Sequence, residues 1–438
     1  MPQPGTARRI PPTGINLFQL IYRLRDDYIR RMGRQPLNLS LGNPDTIPPP
    51  AIRERMAAFG ARPDYAFHTY GEDNNLNGFA EGMVRSHGGL DLAGLAHCKA
   101  LPIAGIKTAS AILPLACALH RRRDTFTVVT NAPAYDIVDR WTSEYLGARR
   151  VTWPLISADN MTLRLERLEE ALERAGKPQV DVIFTIRPGN PAAVGAEEAD
   201  WRALIEYCIP RRIRLVNDGA YATLATGGHV PLARIAAQYP ELEWLELYSV
   251  SKSFSHPGAR LGALVGSVDF VDDFNMIKGN TDSGPVPWVM AAYGDLFQDE
   301  PLAQSILADF RRLYAARLAW LVPALETAGL RPACRTTAGF FTLWRVPRRV
   351  LGQEVAAVAR EQSIPVHEAF NRLVIAETGI VGVHFRGPAA PGRGDKGGSG
   401  GSGDEGEPLV RYAACTDVLA PDFQARLQRE LERLRPEY

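Results

Sequence analysis

The chain is poor in the features that mark metal centres, disulfide scaffolds, membrane spans and nucleic-acid binders. Its five cysteines, Cys98, Cys117, Cys208, Cys334 and Cys415, are scattered and form no CxxC pair. That spacing excludes a disulfide framework and points to a reducing, cytoplasmic setting. The eight histidines contain no HxH or HxxxH spacing, so no metal site is expected. Neither sign of charge dominates: 50 Lys and Arg face 49 Asp and Glu, for a net charge of +1. No broad basic field is therefore available to nucleic acid or an anionic membrane. The most continuous apolar stretch, 109–119, is too short for a bilayer and contains Pro114. The opening Met1-Pro2-Gln3-Pro4-Gly5 lacks the charged start and apolar core of a secretion signal.

What is present is length and alternation. A chain of 438 residues exceeds one small core and suits one large and one smaller domain. Short apolar runs at 126–130 (FTVVT), 181–185 (DVIFT), 213–217 (IRLVN), 244–249 (WLELYS) and 261–266 (LGALVG) read as buried strands. Helical patterns at 165–174 and 197–208 lie between them. This alternation predicts an α/β fold with a mainly parallel sheet. The last third differs. Residues 302–325 read as a long helix with a bend at Pro323. Residues 339–346 and 409–414 read as strands, and Phe423, Leu427, Leu431 and Leu434 form the stripe of a final helix. A second, α+β domain is expected. The boundaries are 1–48 for an N-terminal arm with part of the small domain, 49–300 for the large domain and 301–438 for the small one. Residues 387–408 are rich in Gly and Ser and almost free of apolar side chains. They read as a flexible surface insertion or, because they lead to Arg411, a mobile lid.

One segment carries most of the functional signal. Lys252 sits in Ser249-Val250-Ser251-Lys252-Ser253-Phe254, and Arg260 and Gly262 follow. A lysine among small hydroxyls, with an arginine shortly after it, suits an amine bonded to an aldehyde cofactor that carries a phosphate. The hydroxyls and the planar guanidinium would hold the phosphate. Asn190, Asp218 and Lys252 each follow a strand-like run, so an amide, a carboxylate and an amine come to one sheet edge, where parallel α/β sheets bind ligands.

The pattern S-x-S-K-S-F-x-x-x-G-x-R-x-G resembles the cofactor-lysine signature of class I/II aminotransferases. These are pyridoxal-phosphate enzymes of fold type I, with a seven-stranded type of large-domain sheet and a small α+β domain. The resemblance implies pyridoxal 5'-phosphate as cofactor, with Lys252 as the Schiff-base lysine. Asn190-Pro191 resembles the family's N-P motif, whose amide bonds the cofactor phenolate. Asp218 with Tyr221 resembles D-x-x-Y, a carboxylate at the pyridine nitrogen and a second phenolate donor. Ser249, Ser251 and Arg260 would hold the phosphate. They would be joined by the turn Gly105-Ile106-Lys107-Thr108, where Ile106 replaces the usual Ser. Tyr135 in Ala132-Pro133-Ala134-Tyr135 would stack on the ring; residue type alone equally suits a core tyrosine. Arg411 and Gly42 match the residues that meet the substrate carboxylate, and Asn190 borders that site too. Arg411 also reads as an ordinary strand arginine.

The resemblance further implies a homodimer with shared sites. Tyr70, in His68-Thr69-Tyr70, and Ser283 would reach the neighbouring subunit, and Asn75 stands where the family has a glycine. Three departures stand out: Ala192 and Ala193 in place of Thr-Gly, and Arg187 where a neutral amide is common. They raise the expectation of altered contacts at the site rim. Gly279 stands near the arginine of dicarboxylate-specific members, which disfavours an Asp/Glu-specific enzyme. Asp282 reads as a turn former or as a contact for a basic substrate. The stretches at Leu17-Phe18 and Asn280–Gly284 resemble the diaminopimelate aminotransferase-like group. The implied activity is transfer of an amino group between an α-amino acid and a 2-oxo acid. The alternatives are elimination, decarboxylation or oxidation at the same site, or a non-catalytic regulator on the same fold.

Overall fold

The structure is a computed structural model that describes residues 17–71, 74–135, 137–388 and 406–438. The alternating pattern becomes a seven-stranded sheet. Its order is Cys98–Ile103, Gly262–Ser267, Trp244–Ser249, Arg214–Asp218, Val182–Ile186, Thr127–Ala132 and Arg149–Pro154. Neighbours pair in parallel except at Gly262–Ser267, which is antiparallel to both strands beside it. Val182–Ile186 and Trp244–Ser249 are buried along their whole length, which is why they read as continuous apolar runs. Val182, Phe184 and Ile186 pack with Ile112, Leu113, Phe270 and Phe274 on one face. Ile183 and Leu215 pack with Leu168, Trp201, Leu204 and Met290 on the other. Period-two alternation thus survives inside an apolar run, with helices covering both faces.

The outer strands Cys98–Ile103 and Arg149–Pro154 were not legible as strands. Their first residues are partly exposed and include Lys99, Arg149 and Arg150, so the apolar pattern is diluted. The helix Glu198–Cys208 begins at a reciprocal cap between Glu197 and Asp200, which explains the sequence boundary at 197.

The C-terminal third contains an antiparallel sheet in the order Val383–Arg386, Pro408–Ala413, Phe341–Arg345. Trp344, Val410 and Tyr412 pack there with Leu321, Phe370 and Leu427. Leu37–Asn38 pairs in parallel with Ile380–Val381, so residues near the N-terminus join this part of the chain. The helix Glu300–Thr327 runs through Pro323 without interruption. Pro323 lies close to the end of that helix, where a missing N–H disturbs few later bonds. The expected insertion 387–408 is narrower at its ends. Gly387 N–H donates to Glu407 O at 2.8 Å, and Pro408 is already strand. The Glu407 carboxylate accepts from Ser157 Oγ at 2.8 Å and lies 3.0 Å from Arg345 Nε. Residues 389–405 of the insertion lie outside the described residues.

Among the described residues no helix is long and apolar enough to cross a membrane. No group of three or more His, Cys, Asp or Glu side chains gathers as a metal cluster among them. All five cysteines are buried and free.

Candidate active site

The parallel strands end at a common edge, and a cavity of about 520 Å³ lies over it. Lys252, Asp218, Tyr221, Asn190, Tyr135, Ser249, Ser251, Arg260, Ile106, Lys107, Gly42 and Arg411 all line this cavity. Side chains spread through the sequence are therefore brought together by strand ends, as the parallel topology requires.

Asp218 is the last residue of its strand and is 8 % exposed. Burial pushes its carboxyl up to about 6, against the Ala220 N–H it accepts at 2.9 Å and the nearby Lys252 amine. The residue before it anchors the strand end. Asn217 Oδ1 accepts from Thr185 Oγ1 at 3.0 Å and from Arg187 N–H at 2.9 Å, and its Nδ2 donates to Glu246 Oε1 at 2.7 Å. Glu246 also accepts from Tyr248 Oη at 2.7 Å and Ala233 N–H at 2.6 Å. This satisfied buried network fixes the strand ends that carry the site.

Lys252 lies in the short helix Val250–Ser253, which Ser249 caps through its hydroxyl, accepting Ser251 N–H at 3.1 Å. Its Nζ donates to Gly42 O at 2.7 Å. Burial draws the amine down to about 8, so a larger share of it is uncharged near neutral pH than in an ordinary lysine, although most stays protonated. Tyr221 packs edge-on against Phe340 and Phe341. Burial pushes its hydroxyl up, which keeps it a proton donor.

At the other end of the cavity the helix Ile106–Ala116 starts at Gly105, whose φ is +88°. A Cβ on Gly105 would stand 2.8 Å from Arg260 Nη2. Only glycine lets that guanidinium rest on the helix start. Ser249 Oγ and Ser251 Oγ, 2.8 Å apart, complete the wall. Free helix N–H groups, a guanidinium and two hydroxyls make a cradle for a phosphate dianion.

Arg411 is 1 % exposed, and burial draws it down to about 10. Its Nη1 donates to Asn190 Oδ1 and its Nη2 to Ser40 O, both at 2.7 Å. It lies over the Phe341 ring at 4.1 Å, and its Nε is buried without a partner. The cation is thus desolvated and held by neutral oxygens, a costly state that an incoming carboxylate relieves. A Cβ on Gly42 would meet Phe341 Cζ at 3.0 Å, which explains glycine there.

Three of the sequence-predicted residues lie off this cavity. Thr108 is half-buried on the same helix without lining it, and Tyr70 is 72 % exposed. Ser283 lies elsewhere too, but its segment touches that of Tyr70: a Cβ on Gly71 would be 2.3 Å from Pro285 O. Asn75 is not left-handed, with φ −111°; it instead accepts Ala80 N–H at 2.8 Å through its side chain. Asp282 accepts Gly284 N–H at 2.9 Å and lies 3.4 Å from Lys278 Nζ, a turn role. Arg187 is not at the rim. It is fully buried behind the site and donates to Val194 O at 3.3 Å. Ala192 and Ala193 are buried off the cavity as well, and Ala193 holds φ +53°. That conformation costs a non-glycine residue roughly 1 kcal/mol.

The cavity also contains Phe18, Tyr22, Leu41, Asn43, Ser110, Ile137, Phe184 and Ile186; the sequence reading placed none of them at the site, and named Phe18 only in the stretch that resembles the diaminopimelate aminotransferase-like group. The i, i+4 spacing of Phe18 and Tyr22 on one helix was an available signal. An ion pair behind the site went unread too. Arg317 forks onto Asp45 at 2.7 and 2.9 Å and donates to Ala414 O at 3.1 Å. It joins the Gly42 segment to the end of the Arg411 strand.

Comparison with known proteins agrees with this architecture. An LL-diaminopimelate aminotransferase of Syntrophobacter fumaroxidans is 28 % identical over 386 residues, covering 86 % of this chain and 90 % of that protein. Among solved structures, a double mutant of Thermus thermophilus aspartate aminotransferase superposes with TM-score 0.72 at 16 % identity, covering 98 % of this chain and 99 % of the other. Mycobacterium tuberculosis N-succinyldiaminopimelate aminotransferase gives 0.71 at 19 % identity with the same coverage. The sequence profile described as aminotransferase class I and II matches residues 34–394, and with most of its length inside that match the chain belongs to this family of amino-group transferases.

Proposed function

We propose that the cavity around Lys252 holds pyridoxal 5'-phosphate and is the place where this transferase passes an amino group from an α-amino acid to a 2-oxo acid. The observation that carries the reading is the joint burial of Lys252, Asp218 and Arg411 around one space. The residues fit the cofactor. Arg260 lies against the helix start at Gly105, where the two together could hold a phosphate, and Asp218 stands ready as the ring-nitrogen partner. When bound, the cofactor supplies an aldehyde for amines and a protonated ring that delocalises the electron pair left at the substrate α-carbon.

The chain's own residues do the rest. Lys252 would hold the cofactor through its amine and, with that amine free, would serve as the base that takes the proton from the substrate α-carbon. Asp218 would keep a proton on the ring nitrogen. Asn190 and Tyr221 would donate to the phenolate oxygen, and Tyr135 would position the ring by face contact. Arg260, Ser249, Ser251 and the helix start at Ile106 and Lys107 would hold the phosphate. Arg411, beside Gly42 and Asn190, grips the substrate carboxylate.

The reading includes a homodimer. Tyr70 and Ser283 lie on neighbouring segments away from this chain's own cavity, beside the exposed Tyr65 and Val286. A second copy would bring Tyr70 and Ser283 to its partner's phosphate. Two experiments test the proposal. Addition of an amino acid to the yellow holoenzyme should convert the cofactor to its aminated form without release of ammonia or peroxide. Mixing inactive Lys252→Ala subunits with Tyr70→Ala subunits should restore activity in verified heterodimers; no recovery would refute the shared site.

A further inference from the structure

We infer that the amino donor carries a large apolar side chain, aromatic or branched aliphatic, received by Phe18, Tyr22, Leu41 and Ile137. The inference rests on the proposed amino-transfer site and adds its substrate class. The charged groups on the cavity wall already have work in that reading. Lys252 takes the amine, Asp218 the ring nitrogen and Arg411 the carboxylate, while Arg260 and Lys107 stand at the phosphate end. What is left of the wall is mostly hydrocarbon: Phe18 and Tyr22 from one segment, Leu41 from another, Ile137 from a third.

The placement of Phe18 and Tyr22 supports the assignment. The helix Leu17–Met32 buries Ile21 and Tyr28 against Ile375 and Val381. Phe18 and Tyr22, four apart and on another flank, face the cavity, and Tyr22 is 41 % exposed. Large aromatic side chains at a cavity mouth gain most from an apolar group that displaces water from them. Among the charged lining residues a donor with a second ammonium would find four cations and, as the one carboxylate, Asp218. Repulsion and loss of hydration then oppose it, because a buried unpaired charge is costly.

The experiment measures half-reactions of the holoenzyme with phenylalanine, leucine, alanine, glutamate, lysine and LL-diaminopimelate by the change in cofactor absorbance. Phenylalanine or leucine should exceed alanine in kcat/KM by about 100-fold, at one to a few tens per added apolar group. Phe18→Ala and Tyr22→Ala should each cut that preference, read as the ratio of phenylalanine to alanine, about tenfold. Calorimetry with non-reacting acids gives a readout independent of turnover: 3-phenylpropionate should bind more tightly than propionate, and both variants should erase the difference. Preference for glutamate, lysine or LL-diaminopimelate would overturn the inference while leaving amino transfer standing. So would an apolar preference that is undiminished in both variants. Tight phenylpropionate binding without conversion of any amino acid would instead overturn the amino-transfer reading.

Discussion

The floor and the rim of the cavity are built by different means. Floor residues Asn190, Asp218, Ser249 and Lys252 each stand at or just beyond the end of a parallel strand. Their positions follow from the backbone ladder and from the buried Asn217–Glu246–Tyr248 network beneath it. The rim is assembled from remote parts of the chain. Arg411 reaches Ser40 O across 371 positions of sequence, and Lys252 reaches Gly42 O across 210. Side chains tie the Ser40–Thr46 strap in place: Arg317 on Asp45, and Ser255 Oγ donating to Thr46 O at 2.8 Å. A floor made of ladder bonds is rigid before any ligand arrives, whereas a rim made of individual side-chain contacts is adjustable one contact at a time. Floor changes should therefore act on the chemistry and rim changes on substrate affinity.

Lys252→Ala should cause the largest loss, about 10⁴-fold or more in turnover. Borohydride reduction and peptide mapping of the wild-type protein should place the cofactor on Lys252, and a label on another lysine would break the description of the floor. The same amine sets a pH dependence. Its folded-state value is lowered to about 8 from 10.5, so below that value it is mostly protonated and cannot attack an aldehyde. Cofactor loading into stripped protein should accelerate as pH rises through about 8. A midpoint near the ordinary lysine value would contradict the burial argument.

Asp218→Asn should come next, with kcat down about 10²–10³-fold while the cofactor stays bound, since the carboxylate stabilises developing charge. Near-normal kcat with saturating cofactor would remove Asp218 from the chemistry. On the rim, Arg411→Ala should cost about 2–4 kcal/mol in kcat/KM for amino acids and little for amines lacking a carboxylate. Equal losses for both substrates would make Arg411 structural and erase the contrast between floor and rim.

Arg317→Ala should have a smaller effect, about a tenfold rise in KM with kcat nearly unchanged, because it positions the strap without touching substrate. Asp45→Asn in the same protein should add little further, as expected for two residues acting through one contact. A fall in kcat instead would place the pair in the chemistry. The smallest effect should come from deleting 389–405 and closing the strand ends Val383–Arg386 and Pro408–Ala413 with a short turn. Turnover should change less than about twofold, since loop length costs little closure entropy. A collapse of turnover with unaltered cofactor absorbance and melting would favour a lid.

Legibility in the sequence followed the same division. Buried central strands announced themselves as apolar runs, and the residues after them were read correctly as one edge. The motif S-x-S-K-S-F and the arginine shortly after it brought the amine, the two hydroxyls and the guanidinium together because they are close in the chain, and all four line one cavity. The partly exposed edge strands were missed for lack of a pattern. Arg187 was placed at the rim because the resemblance puts a neutral amide at its position, but its side chain is buried in the core. Asn75, which stands where the family has a glycine, accepts Ala80 N–H at the start of the next helix.

By itself the sequence determined the α/β class, the strand-end floor of the cavity and the family, because ladder periodicity and local motifs are written in neighbouring residues. Tertiary structure alone decided which aromatic and aliphatic side chains close the cavity, that Arg317 locks Asp45, and that Arg411 is a desolvated cation held by neutral oxygens. Those properties depend on contacts between segments hundreds of residues apart, and on the water that such contacts exclude. Neither has a local signature in the chain.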